Sequence, residues 1–235
     1  MKKSKLVFAT MLAGLAALVP GGPAVAGGGP DPAAFTGRVT NPWFPLKPGT
    51  NFVYRGVRDG QSARDVVTVT RQTKTIQGVR CVVVKDLLWL DGKLHERTSD
   101  WYTQDTRGNV WYFGEATAEL DDQGRVTTRE GSWQAGRDGA KAGIYMPAHP
   151  AVGYRGRQEF YKGHAEDHFE VLSLHAEVKV PFVSSKRALL TKEWSPLEAG
   201  VIDHKYYVRG VGTVREQTVK GGEERMELVS MRRDR

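Results

Sequence analysis

Turn signals recur along this chain at a spacing that suits a meander of strands. They are Asp59-Gly60, Gln77-Gly78, Asp91-Gly92, Arg107-Gly108-Asn109, Gln123-Gly124, Ala199-Gly200 and Gly221-Gly222. Each supplies residues that tolerate positive φ, which tight hairpins require. Between them lie runs rich in Val, Thr, Tyr and Trp. Asp65 to Thr75 alternates, with Val67 and Val69 on one face and Val66, Thr68 and Thr70 on the other. Arg80 to Leu90, Lys93 to Gln104, Val110 to Leu120 and Arg125 to Trp133 follow. The habit returns in Tyr154 to Tyr161, Asp167 to Val180, Lys186 to Trp194, Val201 to Arg209, Thr213 to Lys220 and Arg225 to Met231. The pattern predicts an antiparallel all-β chain of about twelve strands. No segment keeps a helical period over three turns.

Several runs reach about 10 to 13 residues, against a usual strand of about 5 or 6. Long strands coil, and a coiled sheet wraps into a barrel or half-barrel able to enclose a cavity. A single β domain is expected over residues 41–235. It opens on Asn41-Pro42-Trp43-Phe44-Pro45-Leu46-Lys47-Pro48-Gly49-Thr50, whose prolines enforce an extended path while Trp43, Phe44 and Leu46 seek burial. This reads as an ordered strap. Gln134 to Gly153 carries three glycines and two prolines at internal positions and reads as a long loop, a crossover or a functional lid.

The N-terminus reads as an address. Lys2, Lys3 and Lys5 precede an apolar run from Leu6 to Val19, and Ala24-Val25-Ala26 supplies small residues for a signal peptidase. A secretory signal peptide over residues 1–26 is expected, with a disordered lead-in over 27–40. The apolar run is shorter than the roughly 20 residues a spanning helix needs, and no later stretch is more apolar, so no transmembrane segment is expected. The expected location is extracellular or associated with the cell envelope.

Charge and cysteine use narrow the partners. The formal charge of +7 falls to about +4 once the three leader lysines are removed. The remaining basic residues are interleaved with acidic ones, as in Arg55, Arg58, Asp59, Arg64 and Asp65, so no basic arm or helix tracks a phosphate backbone. Nucleic acid is not an expected partner; an anionic envelope polymer remains one. With Cys81 alone, no intramolecular disulfide forms, and its run from Val79 to Val84 suits a small buried hydrophobe.

Three polar clusters could carry function. In His164-Ala165-Glu166-Asp167-His168-Phe169-Glu170, strand alternation places His164, Glu166, His168 and Glu170 on one face, which continues into Leu172, Leu174, Ala176, Val178 and Val180. A face that is ionisable at one end and apolar beyond describes a cavity mouth. Glu166, His168 and Glu170 are therefore ligand-binding candidates, with Gln134 to Gly153 as a cover. Glu166 and His168 are spaced to chelate an ion; His164 and His168 are roughly 13 Å apart on an ideal strand and cannot share one. No cofactor is expected. Read as a plain solvated hairpin, Lys162 to Asp167 would do none of this. The second cluster is the aromatic band of Trp101, Tyr102, Trp111, Tyr112 and Phe113, extended by Trp133. It suits a core or a stacking platform, and Asp100 and Glu115 flank it as two carboxylates of the type glycosidases use. The third holds His204 and Tyr206 on one face, and Lys205 and Tyr207 on the other. Gly-x-Ser-x-Gly, His-Glu-x-x-His and phosphate-cradling glycine loops are missing.

The segments Asn41 to Thr50, Asp100-Trp-Tyr-Thr-Gln-Asp105, Gly108-Asn-Val-Trp-Tyr-Phe-Gly-Glu115 and His204-Lys-Tyr-Tyr-Val-Arg-Gly-Val-Gly-Thr-Val-Arg215 resemble an uncharacterised family of secreted actinobacterial proteins. The resemblance spans nearly all the chain after the leader and implies export and an all-β fold. The Tyr-Tyr-x-x-Gly-Val-Gly-x-Val stretch is similar to that of exported half-barrel proteins of the lipoprotein-carrier kind. Neither likeness implies catalytic or binding residues.

The reading favoured is a secreted, non-enzymatic β-barrel that binds a small or lipidic ligand or an envelope component. The alternatives are an extracellular hydrolase acting through carboxylate or His residues, and an envelope interaction protein with a filled core.

Overall fold

A computed structural model describes residues 29–234 of the chain. The leader lies outside the described residues. Asp59-Gly60, Gln77-Gly78 and Asp91-Gly92 adopt positive φ at both positions, between 48° and 80°. That is the type I′ geometry whose twist matches the flanking strands. These turns join β1 (Thr50–Arg58), β2 (Gln61–Ile76), β3 (Val79–Leu90) and β4 (Lys93–Gln104). The chain continues through β5 (Val110–Leu120), β6 (Val126–Thr128), β7 (Trp133–Gln134), β8 (Lys141–Met146), β9 (Arg155–Arg157) and β10 (Glu159–Phe160). Long strands return in β11 (His168–Lys179), β12 (Ser184–Trp194), β13 (Ile202–Val208), β14 (Gly212–Lys220) and β15 (Glu224–Arg233). A single 3-10 turn, Pro32–Ala34, is the one helical element among the described residues.

All fifteen strands lie in one antiparallel sheet, ordered β10-β8-β5-β4-β3-β2-β1-β15-β14-β13-β12-β11-β9, with β6 and β7 also on β5. The all-β barrel expected from the turn spacing is present. It closes through residues 155–160, whose first half pairs with β11 and whose second half pairs with β8. At this seam Gly143 of β8 faces the backbone of Arg157 and Gln158 so closely that a side chain would collide.

Four expectations differ from what is seen. The strands number fifteen because β1 continues the strap, β8 forms within residues 134–153, Arg125–Trp133 breaks into β6 and β7, and Tyr154–Tyr161 breaks into β9 and β10. The supposed loop Gln134 to Gly153 contains β8, which pairs with β5 and β10, so it is wall and not a lid. The lead-in, expected to be disordered, is ordered from residue 29: Thr36 N–H donates to Gln104 O, Thr106 N–H to Ala34 O, and Val39 is buried. Phe35 packs edge-on against Phe113 and Trp111, covering an apolar patch on the outer face. Lastly, strand parity does not run unbroken. The β11–β12 register shifts between Val171 and Ser173 and twice beyond, so Phe169, Val171 and Val178 are all buried despite their odd and even numbers.

The strap behaves as its sequence suggests. Gln104 Oε1 accepts from Thr40 and Asn41 N–H, and the Asn41 side-chain amide donates to Gly108 O and Pro147 O. Phe44 packs on Tyr102 and Tyr145, with centroids 5.3 and 4.6 Å apart. Leu46 is buried with it. The strap thereby stoppers one end of the barrel with aromatic and aliphatic side chains.

Candidate functional site: an acidic lumen

On β3 the inward positions are Val82, Val84, Asp86, Leu88 and Leu90, so one carboxyl occupies an otherwise apolar row. The neighbouring strands repeat this. β2 turns Ala63, Asp65, Val67 and Val69 inward, and β4 turns Glu96, Thr98, Asp100 and Tyr102 inward. On β5 an extra residue separates Tyr112, opposite Tyr102, from Glu115, opposite Asp100. Gly114 (φ 129°) absorbs that bulge. Both Tyr112 and Glu115 then face inward, which strict alternation would forbid. From the opposite wall come Glu193, Lys205, Tyr207 and Glu216. Glu159 and Asp167 complete the lining near the seam.

Above the strap lies an aromatic floor. Tyr102 stacks on Tyr112 at 4.7 Å, Trp133 meets Tyr112 edge-on at 5.4 Å, and Tyr145 contacts both tyrosines. Tyr112 donates to Asp100 Oδ1 at 2.7 Å, linking the floor to the carboxyls. Lys205 sits across from them, 3.0 Å from Glu193 and 3.2 Å from Glu216. Glu193 also accepts from Tyr207 and Thr191. At the far end Arg58 pairs with Glu224 at 3.3 Å. These groups are enclosed by the wall, yet Glu216 keeps 34% of its side-chain surface and Lys205 18%. Enclosed polar groups that retain surface mark a lumen with room for water, not a packed core.

One lysine among so many carboxyls leaves them short of countercharge, and their proton affinities show it. Burial, then Asp65, holds Asp86 well above the carboxylate range; Asp65, hydrogen-bonded to Asp86, rises to about 6. Asp65 Oδ1 is buried with no donor of its own, and the closeness of the two carboxyls favours keeping one of them protonated. Burial and Asp86 push Asp100 up to about 7 against the Tyr112 hydrogen bond. Glu115 is raised by burial, Asp100 and Glu159. Glu159 rises to about 8 through burial and Asp167, and Asp167 to about 6 through burial. Glu216 reaches about 7 because burial outweighs Lys205. Lys205 itself loses from burial but is held well above its ordinary value by Glu193 and Glu216.

The sign of the pH dependence follows. These carboxyls hold protons more tightly folded than unfolded, where they titrate near 4. Unfolding releases protons as pH rises, so their contribution is complete below about pH 4 and is lost through 6, 7 and 8. Asp105 acts oppositely: hydrogen bonds from Asn109 and Trp111 outweigh burial and lower its pKa, so its contribution fades in acid. Calorimetry should find a maximum Tm near pH 5 and a fall of about 10 °C by pH 8.5, each kcal/mol being worth about 2–4 °C in a chain this long. A profile flat or rising over that range contradicts the acidic lumen.

Of the residues singled out by sequence, Asp100 and Glu115 face the lumen as cross-strand partners. The 164–170 segment has the reverse of the expected parity: Phe169 is 1% exposed in the core and Glu170 lies on the outer face, 3.1 Å from Arg155. His168 stacks on Trp194 and its Nε2 accepts from Arg157; burial and Arg157 lower its pKa. Glu166 accepts from Gly163 N–H in the hairpin turn. The segment is a hairpin on the outer wall, and Asp167 is its carboxyl that turns in. Trp101 is buried on the outer face, with Lys74 Nζ 3.2 Å from its ring centre. Trp111 donates to Asp105 Oδ2 at 2.9 Å and packs against Phe35. His204 pairs with Lys192 on the outer face, where Tyr206 lies beneath Arg215. Lys205 and Tyr207, one residue on from each, are the inward pair. The lumen residues missed include Asp65, Asp86, Glu96, Glu159, Glu193 and Glu216. A carboxyl on the apolar parity of a strand, as at Asp86, was the signal available.

Cys81 is fully buried, its thiol pushed up to about 12 by burial, and is chemically quiet. Among the described residues no group of three or more His, Cys, Asp and Glu converges closely enough to hold a metal ion. A surface groove of about 590 Å³ lined by Lys179, Phe182, Arg225 and Glu227 lies outside the barrel. Among the described residues no helix is long and apolar enough to cross a membrane. Arg55, Lys85 and Arg97 stand exposed at mid-strand on the outer face, unlike the apolar band of a membrane barrel.

No protein-family model matches the chain, and no curated protein is similar to it. Two solved structures share its outline at low identity. One, from Bacteroides fragilis, is described as a candidate exported protein with a YmcC-like fold. It is 16% identical with a TM-score of 0.45, covering 81% of this chain and 99% of that one. The other, from Parabacteroides distasonis, is described as a candidate lipoprotein. It is 11% identical with a TM-score of 0.40, covering 81% and 98%.

Proposed function

We propose that this chain is an exported protein that holds a small polar ligand in the lumen of its β-barrel. The observation that carries the reading is the set of enclosed, polar, partly accessible side chains above the aromatic floor. The leader pattern and the motifs resembling secreted actinobacterial proteins support export. The lining selects among ligands: a lipid tail against carboxyls would desolvate them without supplying partners, whereas a hydrogen-bonding ligand satisfies them. An anionic envelope polymer is repelled by the same lining and would meet the basic outer face. A second reading, an extracellular hydrolase, draws on one observation. Asp65 and Asp86 are neighbouring carboxyls both raised by burial, a pair that supplies an acid and a base together.

Native mass spectrometry of the protein recovered gently from its exported form tests this. The expected result is a chain beginning at Gly27 that carries a non-covalent adduct lost on denaturation. A bare chain after gentle recovery, unable to take up any small molecule, overturns ligand binding. A cleaved product in place of an intact ligand favours the hydrolase.

A further inference from the structure

The lumen has a carboxyl-rich corner that its own cations do not serve. Glu159 is 6% exposed, and its Oε2 has no hydrogen-bond partner. The Trp133 indole N–H lies close enough to lower the pKa of its carboxyl, yet that N–H is also a buried atom with no hydrogen-bond partner. A buried carboxyl oxygen without a donor is rare and costly. The groups facing Glu159 are Asp100 from β4, Tyr112 and Glu115 from β5, Asp167 preceding β11, and Lys205 from β13. Lys205 is already engaged by Glu193 and Glu216. What is missing at Glu159 is a positively charged donor.

We propose that this corner binds the ammonium group of an organic amine, with Glu159, Asp100 and Glu115 as its anionic partners and the Tyr112 and Trp133 rings beside it. The inference rests on the lumenal-binding reading and names the ligand's chemical class. Three features select an amine. An ammonium supplies several N–H donors at once to carboxyls on different strands, where a proton serves only one. The carboxyls do not converge in the tight set that a metal ion needs. Aromatic rings next to the carboxyls attract a cation by their faces and accept the carbon skeleton behind it. Since Glu159 holds a proton up to about pH 8, amine binding near neutrality displaces protons from the corner.

Isothermal titration calorimetry on the exported protein tests the assignment. The probes are benzylammonium and putrescine, each against its uncharged counterpart, benzyl alcohol or 1,4-butanediol. Titrations run at pH 7.5 in two buffers of different ionisation enthalpy. The expected result is that at least one amine binds tenfold or more tighter than its alcohol, with a buffer-dependent heat that reports proton release. Glu159→Gln and, separately, Glu115→Gln should weaken that amine tenfold or more, while Glu170→Gln on the outer face leaves it unchanged. The circular dichroism spectrum checks that each variant is folded, and the two lumen variants back each other up. An alcohol that binds as tightly as its amine overturns the ammonium assignment and leaves lumenal binding standing. So does an anionic or neutral adduct at this corner by native mass spectrometry. Amine binding unchanged in both lumen variants, or no amine binding at all, also overturns the assignment; lumenal binding itself is decided by the adduct experiment.

Discussion

Replacing Lys205 by Met is expected to destabilise the chain by about 3–5 kcal/mol at pH 8, the usual cost of removing one partner from a buried ion pair. Lys205 lies between Glu193 at 3.0 Å and Glu216 at 3.2 Å, and it is the ammonium that Asp100, Glu159 and Asp167 also feel. Without it Glu216 keeps only the attraction of Arg58, which is already paired with Glu224, and its carboxyl, already up at about 7, takes a proton instead. The loss should therefore shrink markedly at pH 5, where that proton is available. Glu193 suffers less because Thr191 and Tyr207 still donate to it. Adding Glu216→Gln to Lys205→Met should restore a large part of the loss at pH 8. Urea unfolding at both pH values measures this. An equal loss at pH 5 and pH 8 would show that Lys205 acts through packing and not charge.

Gly114→Ala is expected to cost about 3–5 kcal/mol, combining backbone strain with overpacking. At φ 129° the residue occupies a region that a Cβ disfavours, and a Cβ built there runs into the Trp133 carbonyl and lies 2.9 Å from Gln134 Cα. Neither is the flexible end of a side chain, so β7 would have to leave β5. The damage is functional as well as thermodynamic, because this bulge lets both Tyr112 and Glu115 face the lumen. Gly124→Ala is the comparison: its φ is also positive, at 75°, but nothing lies within 4 Å of the added methyl, so about 1–2 kcal/mol is expected. Denaturant melts of the two variants separate the terms. Equal losses would mean that the Gly114 site relaxes around the methyl, and that the bulge does not depend on glycine.

The strands were legible because hairpin chemistry is local. Asp59-Gly60, Gln77-Gly78 and Asp91-Gly92 place both turn residues at positive φ without help from the rest of the chain. β4 and β5 begin and end where alternation and turn residues suggest. β8 was not legible. Its strand character comes from pairing with β5 and β10, and Lys141–Met146 sits among glycines and prolines that read as a loop. The lead-in was missed for a similar reason: Phe35 is ordered by Phe113 and Trp111, two residues far away in sequence.

The site was less legible than the fold. Composition and spacing alone were enough for an all-β chain, for long strands that must coil, and for a buried, quiet Cys81. Which side of each strand faces the lumen was settled only when the sheet closed on itself. Parity counting assumes an unbroken strand, and a single bulge reverses it for every residue beyond. At Gly114 a bulge brought Glu115 inward beside Asp100, and near Val171 another allowed Phe169 and Val178 to be buried together while Glu170 turned out to Arg155. The countercharge of Lys205 was likewise invisible along the chain, because Glu193 and Glu216 lie on the two strands that flank β13. An acidic lumen is a sum over distant strands, and only their registers bring its members into one field.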